Sequence, residues 1–503
     1  MPLPHPIDES RFAAEDTLRE WCARIAGEGY RGTGTAGHER VIRWVEDELA
    51  AIPGVEVCSE AFEIRRWQPE PDGDLERAAE LRADGSAIAV AGAVPYSAPT
   101  TALGPLVHVP SGAPITAAVA AGRVVLRDFP SFPLPYDALL GLAFDRSPDT
   151  GELAGRVWDR PGLADGVLHD DLLAGGAAGA AGVVFAFDLP REQIAGYFEP
   201  HKGTHYRVPA AFVGVDEREQ LRRLAAAGAP AELTVRAAVG PVETRNVHAM
   251  LPGQTAERIV LVTHTDGNTW VQEDGIAALL ALAHHLAAVP AEQRHRTIEL
   301  AFTTAHLHIA REGAARYAAR LDEDYDRGDV VCAFPIEHLG ARELVPTERD
   351  DGSPGRQLVF TGEAEPLLWC VGPSEAMRRA VTEAVARRSL ERVLVLPGFG
   401  APAEDRVPSI LSFGGLGTLF HMHLIPTASI LTGPWSLWAP SFGGDAIDVA
   451  LLRRQALAAA DVVAALDALP RDEIAGGYLA ERSARAAGVE WQVDEVPPEI
   501  APT

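Results

Sequence analysis

The feature that most narrows the folds open to this chain is a strand, loop, helix order that repeats after Asn246. β-rich runs at 258–263, 297–302, 330–336 and 428–431 alternate with helix-period stretches at 275–287, 312–321, 374–388 and 449–469. Strands joined through helices of that length connect as crossovers, and crossovers build parallel pairs with helices on both faces. The expected fold class is therefore α/β, with a mostly parallel central sheet sandwiched by helices. In such a sheet ligands sit beyond the carboxyl ends of the strands. There the chain carries His264 and Asp266 after the first run, His306 and His308 after the second, and Glu337 and His338 after the third.

Upstream, apolar residues recur at helical spacing across 16–49, broken by a Gly/Thr-rich loop at 29–37, and 55–64 alternates like a strand. The texture changes near residue 88. From there to about 240, short β-rich runs at 123–127, 182–187 and 210–214 are separated by Pro/Gly loops and one Ala/Gly-rich helix, which reads as a β-rich inserted domain. The expected division is 1–87 as the first part of the main domain, 88–240 as the insertion, and 241–503 as the main part.

The balance of 71 acidic against 44 basic residues gives a formal charge of -27, which repels phosphate backbones and anionic lipid. Nucleic acid and membrane surfaces are thereby excluded as expected partners. The longest apolar stretch, 172–187, falls short of the ~20 residues needed to span a bilayer. The first residues lack a basic segment followed by an apolar one, so a cytoplasmic location is expected. Cys22, Cys58, Cys332 and Cys370 are too far apart for a zinc knuckle or redox motif, and are expected as buried thiols. Charge is silent on assembly, which leaves homo-oligomerisation open.

Four stretches carry a resemblance: Asn246-Val-His-Ala-Met-Leu-Pro-Gly253, Ile259-Val-Leu-Val-Thr-His264-Thr-Asp266, Ile276-Ala-Ala-Leu-Leu-Ala-Leu-Ala283 and Arg296-Thr-Ile-Glu-Leu-Ala-Phe302. Together they resemble the di-zinc aminopeptidase family, which also holds glutamate carboxypeptidases and glutaminyl cyclases. The 88–240 segment resembles the protease-associated (PA) domain that many members carry, notably at Arg123-Val-Val-Leu-Arg127.

The resemblance implies site residues one position at a time. His264 matches the family's metal ligand, and Asp266 the carboxylate that fixes that imidazole from behind. The family's bridging Asp aligns without gaps on Val271, whereas a small deletion brings in Glu273 or Asp274. Asp274 is expected as a ligand, with helix capping as its alternative, and Glu273 as a catalytic carboxylate. The paired-glutamate position holds His306 and Leu307, or Leu307 and His308, so the family's general base is absent. On an extended segment His306 and His308 point to the same side, which suits joint binding of one metal. Glu337 stands where the family has an Asp ligand, and it is also a candidate base. His338 beside it is expected to bind substrate, with ligation as the alternative. Trp438 takes the place of the family's last His and cannot bind a metal. Upstream of it, His423 is expected to supply the missing ligand and His421 to bind substrate. Trp270 and Trp438 are expected to wall a substrate pocket.

A ligand set rich in nitrogen favours one metal over a close pair, with zinc first and iron, copper and manganese open. What the resemblance implies is hydrolysis, with a metal-activated water attacking an amide or ester of a small-molecule or short peptide-like substrate. A metal-dependent lyase or hydratase and a non-catalytic binding protein stand as alternatives. Serine catalysis has no support, since no Gly-x-Ser-x-Gly elbow occurs.

Overall fold

The computed structural model describes residues 7–71, 73–200, 205–308, 312–397 and 413–488. The first six residues and the Pro-rich tail lie outside them. The central sheet runs in the order Glu56–Pro69, Ala237–Leu251, Arg296–Thr303, Thr255–His264, Val330–Pro335. The last three strands are parallel, as their helical connections require. Parallel bridges from Ala333 to Thr427 and from Ile336 to Ile430 carry the sheet on to Ala428–Leu431, Leu367–Val371 and Val393–Leu396.

The sheet is thus mixed, parallel at its centre and antiparallel towards both flanks. The Pro252–Gln254 link between two long strands is too short for a crossover, so Ala237–Leu251 runs opposite to its neighbour Arg296–Thr303. Along the central strands the side chains alternate. Ile259 and Leu261 enter one core with the helices Asp274–Ala287 and Val449–Asp467, while Val260 and Val262 pack on the other face against Ala314–Arg327. Asp274–Ala287 is buried nearly all round, which explains its unbroken apolar sequence. Ser374 and Asp448 start their helices with side-chain oxygens that accept from Met377 N and Leu451 N at 3.2 and 3.1 Å.

A second sheet of eight strands draws them all from between Ala79 and Val235. The chain does not stay in it throughout. Asp145–Arg146 pairs with Val393–Leu396 at the far edge of the central sheet, so this stretch adds strands to both sheets. Arg156 and Arg160 tie the excursion down through the buried Glu343 and Glu365 at 2.7 and 3.0 Å. A hairpin not read from the sequence, Arg342–Glu348 with Arg356–Ala364, reaches from the central sheet to the second one. There Leu358 exchanges hydrogen bonds with the Gln193 amide at 2.9 and 2.7 Å.

Cys22, Cys332 and Cys370 are buried thiols, but Cys58, near the start of Glu56–Pro69, is exposed. Among the described residues no helix is long and apolar enough to cross a membrane.

Candidate metal centre

Three adjacent parallel strands bring their carboxyl ends together. Thr255–His264 ends on His264, and His264 pairs in register with Thr303, the last residue of Arg296–Thr303. Val262 pairs with Pro335 on the other side. Neighbouring strands lie about 4.8 Å apart, so side chains just past these ends reach a common point. Those side chains are His264, His306 and Glu337, and one ligand atom from each lies within 4.8 Å of the other two.

Each donor is held from behind. His264 is buried, and its Nδ1 donates to the Asp266 carbonyl at 2.9 Å, with Asp266 Oδ1 at 3.5 Å. In the neutral ring a donating Nδ1 leaves the lone pair on Nε2, which stands 3.7 Å from Glu337 Oε2. Burial works against a charge on the His264 ring, yet the hydrogen bond to Asp266 and the charge of Glu337 raise it above its usual range. His306 Nε2 lies 4.0 Å from the same Glu337 oxygen, with the two imidazole rings 4.7 Å apart. Glu337 is fully buried: Oε1 accepts from Leu416 N at 2.8 Å, and Oε2 has no hydrogen-bond partner. Burial pushes its carboxyl up to about 7 against the pull of His264. Gly415 makes that burial possible, since a Cβ there would come within 2.1 Å of Glu337 Oε1.

Asp266 organises both imidazole-bearing segments. Its Oδ2 accepts from Thr33 Oγ1 at 2.7 Å and from Leu307 N at 2.8 Å. Burial opposes its charge, but His264 and the neighbouring imidazoles hold it well below the usual carboxylate range. His38 lies close by, its Nε2 2.9 Å from both Thr265 Oγ1 and Thr304 Oγ1 and its Nδ1 accepting from Gly34 N. Burial pushes His38 down to about 4, so it is a neutral spacer between strand ends. Sequence reasoning passed over Thr33, His38 and Arg31. Their one signal is the Gly/Thr-rich loop at 29–37, whose backbone joins the strand-end segment where Arg31 N donates to Gly267 O at 2.9 Å.

Other candidates are placed elsewhere. The segment after Thr303 is not extended. Ala305 adopts a positive φ of 56°, and Leu307 is pinned on both sides, N–H to Asp266 and carbonyl to Tyr96 Oη at 3.1 Å. His308 consequently faces away from His306: its Nε2 donates to the Arg65 carbonyl at 2.9 Å and its ring packs edge-on to Tyr96. Glu273 gives both carboxylate oxygens to Arg31, at 2.5 and 2.8 Å, so it is a salt-bridge partner and not a candidate base. Asp274 opens its helix with Oδ1 accepting from Leu339 N at 2.9 Å, which pins the turn after Glu337. His423 Nδ1 sits 3.2 Å from Asp322 Oδ2, beside Arg482 and Arg485. His421 is buried against Tyr478 Oη at 2.7 Å and stacked on Phe413, and burial pushes it down to about 3.

His338, at a positive φ of 57°, donates from Nδ1 to the Thr432 carbonyl at 3.2 Å and brings Nε2 to 3.5 Å from His264 Nε2. Trp438 is buried, and a Cβ on Gly162 would meet its ring at 3.3 Å. Trp270 is half-buried over Gly444.

The donor set itself fits a divalent ion. A buried carboxylate oxygen without a hydrogen donor, faced by two imidazole nitrogens, is a two-nitrogen, one-oxygen set of the kind zinc takes with a further position open.

No protein-family model matches this chain, and no curated protein does. Solved structures do. A zinc aminopeptidase from Bacillus subtilis aligns with a TM-score of 0.61 at 16% identity over 91% of this chain and 97% of its own. A peptidase precursor from Shewanella amazonensis aligns at 0.58 with 14% identity over 96% and 95%. An aminopeptidase from an Aneurinibacillus strain aligns at 0.54 with 16% identity over 91% and 93%. These likenesses establish the fold.

Proposed function

We propose that this chain is a metal-dependent hydrolase of the zinc-aminopeptidase kind, with the ion held by His264, His306 and Glu337. The observation that carries this reading is Glu337 Oε2, fully buried, without a hydrogen donor, and faced at 3.7 and 4.0 Å by imidazoles from two neighbouring strand ends. A lone buried carboxylate costs several kcal/mol unless a cation or donor meets it. The fold it shares with solved aminopeptidases supports the same reading.

When bound, a divalent ion there supplies a Lewis acid for an amide or ester carbonyl and lowers the pKa of water. The chain's own residues do the remaining work. Asp266 sets the His264 tautomer and, through Leu307 N, the loop that presents His306. His338, with its proton fixed on Nδ1 by Thr432, presents Nε2 beside His264 and is the group placed to take a proton during attack. Trp270 and Trp438 are read as the apolar wall for a small or short peptide-like substrate. The second sheet is read as a protease-associated-type insertion that braces the site through Tyr96.

The absence of a carboxylate base next to His306 favours one alternative, a metal-dependent lyase or hydratase on the same donor set. Elemental analysis of the dialysed protein with product analysis tests both. His264→Ala and His306→Ala are expected to abolish metal content and turnover, while His108→Ala in the second sheet leaves both intact. Metal retained in the His264 and His306 variants would sink the assignment.

A further inference from the structure

Glu273 and Asp274 stand together at the start of a buried helix, the place where the family resemblance implies a carboxylate bridging two metals. Glu273 is fully buried. Both its oxygens are taken by one guanidinium, Arg31 Nε at 2.5 Å and Nη2 at 2.8 Å. Arg31 is itself fully buried and has no slack: Nη2 also donates to the Thr269 carbonyl at 2.8 Å, Nη1 donates to the Gly29 carbonyl, and its backbone exchanges hydrogen bonds with Gly267. Gly267 is held against the Glu273 carboxylate so closely that a Cβ there would lie 2.4 Å from it. A two-pronged pair of this kind matches the planar fork of arginine to a carboxylate, which neither lysine nor a spherical ion reproduces.

Of the neighbouring positions, Val271 is buried in the apolar core, and Asp274 gives Oδ1 to Leu339 N but keeps Oδ2 without a hydrogen-bond partner, a single open donor next to Glu273 in sequence. Among the described residues, His264, His306 and Glu337 form the only group of three donors close enough to share an ion.

We infer that Arg31 is a built-in cation that takes the place of a second metal, so that this centre holds one ion where the resembling family holds two. The inference rests on the metal-centre reading above and sharpens it. Releasing Glu273 to an ion would strand the Arg31 guanidinium in the interior, and a buried charge that loses its partner is strongly unfavourable. The single positive charge of Arg31, fixed by four hydrogen bonds to Glu273, Thr269 and Gly29, makes a second ion at the same carboxylate self-defeating.

The test is zinc titration of chelator-stripped full-length protein, read by calorimetry and by elemental analysis after desalting. One zinc per chain is expected. Two tight zinc ions per chain would overturn the role of Arg31 while leaving the metal centre standing, and none would remove the metal reading itself. Glu273→Gln is expected to keep zinc at one per chain with affinity changed by less than about 10-fold, the lower bound for losing a group that supports a ligand. A larger loss would make Glu273 part of the metal site and overturn the inference. Arg31→Gln, which uncovers the carboxylate, is expected to add a second, weaker zinc to the one at His264, His306 and Glu337, since Glu273 and Asp274 Oδ2 offer it only two side chains, and uptake that stays at one would show that the guanidinium excludes nothing. Should that variant not be recovered folded, the neutral pair Arg31→Gln with Glu273→Gln is expected to fold and bind one, and two there would overturn the inference.

Discussion

Glu299 and Glu337 are both buried glutamates in the same sheet, 2% and 0% exposed, and their surroundings are opposite. Glu299 lies inside Arg296–Thr303 and has every oxygen answered: Oε1 accepts from His248 Nδ1 at 3.0 Å and Tyr317 Oη at 2.7 Å, and Oε2 from Arg258 at 2.6 Å. Burial pushes it up, but the hydrogen bond and charge of His248, with Arg258, overcome that and bring its carboxyl down to about 2. Glu337, beyond a strand end, has one oxygen answered and one aimed at two imidazoles, and burial takes it up to about 7. A carboxylate inside the sheet is completed by the protein, whereas Glu337, beyond a strand end, keeps one buried oxygen without a hydrogen donor.

The comparison breaks most visibly by truncating the completed carboxylate. Glu299→Ala leaves Arg258 without one of its buried partners and should cost about 3–5 kcal/mol in urea unfolding, with zinc stoichiometry unchanged. An equal loss of zinc would mean that the two carboxylates are not separate systems. Acid provides the next test. The Glu299 carboxylate is depressed below its ordinary 4.5, so its stabilisation is complete above that pH and is lost as pH falls towards about 2. That decline should amount to roughly 3 kcal/mol and be missing from Glu299→Gln; parallel stability curves for the two proteins between these pH values would refute it.

A smaller effect is expected at Asp266. Asp266→Asn keeps one oxygen for Thr33 and Leu307 but turns the one facing His264 Nδ1 into an uncharged amide nitrogen, and zinc affinity should fall by about 10- to 100-fold without loss of fold. Thr33→Val removes one of those donors and should cost about 1 kcal/mol, measurable as a shift in the unfolding midpoint. Glu337→Gln acts in the opposite direction: metal-free, it should stabilise the fold near neutral pH, because burial raises the Glu337 carboxyl and the oxygen it replaces has no donor to lose, yet it should abolish zinc uptake. Destabilisation like that of Glu299→Ala would show that Glu337 is structural.

Much of this organisation was readable in advance, and particular residues show where reading stopped. The unbroken apolar run at 259–262 fits a strand covered on two faces, and Ile259 and Val260 do enter opposite cores. His264, His306 and Glu337 were candidates because each follows a strand in sequence, and the parallel register brings those ends side by side. The expectation of His308 as a second inward ligand requires the extended chain to continue past Thr303. It does not, since Leu307 is held by Asp266 and Tyr96, partners far away in sequence. Nothing local marks Arg31 as the partner of Glu273, 242 positions away, or Asp145–Arg146 as an edge strand beside Val393–Leu396. The hairpin Arg342–Glu348 with Arg356–Ala364 has a related reason: its side-chain partners, Gln193 on Leu358 and Arg156 on Glu343, lie more than a hundred positions away.

By itself the sequence determined the α/β architecture and the strand ends at which chemistry-bearing residues gather, because both follow from hydrophobic period and from the order of elements along the chain. Only the tertiary structure decided which of those residues meet. Hydrogen bonding and charge pairing act over about 3 Å in space without regard to separation along the chain, so Arg31 closes Glu273, Asp322 holds His423, and Glu337 is left with one oxygen open.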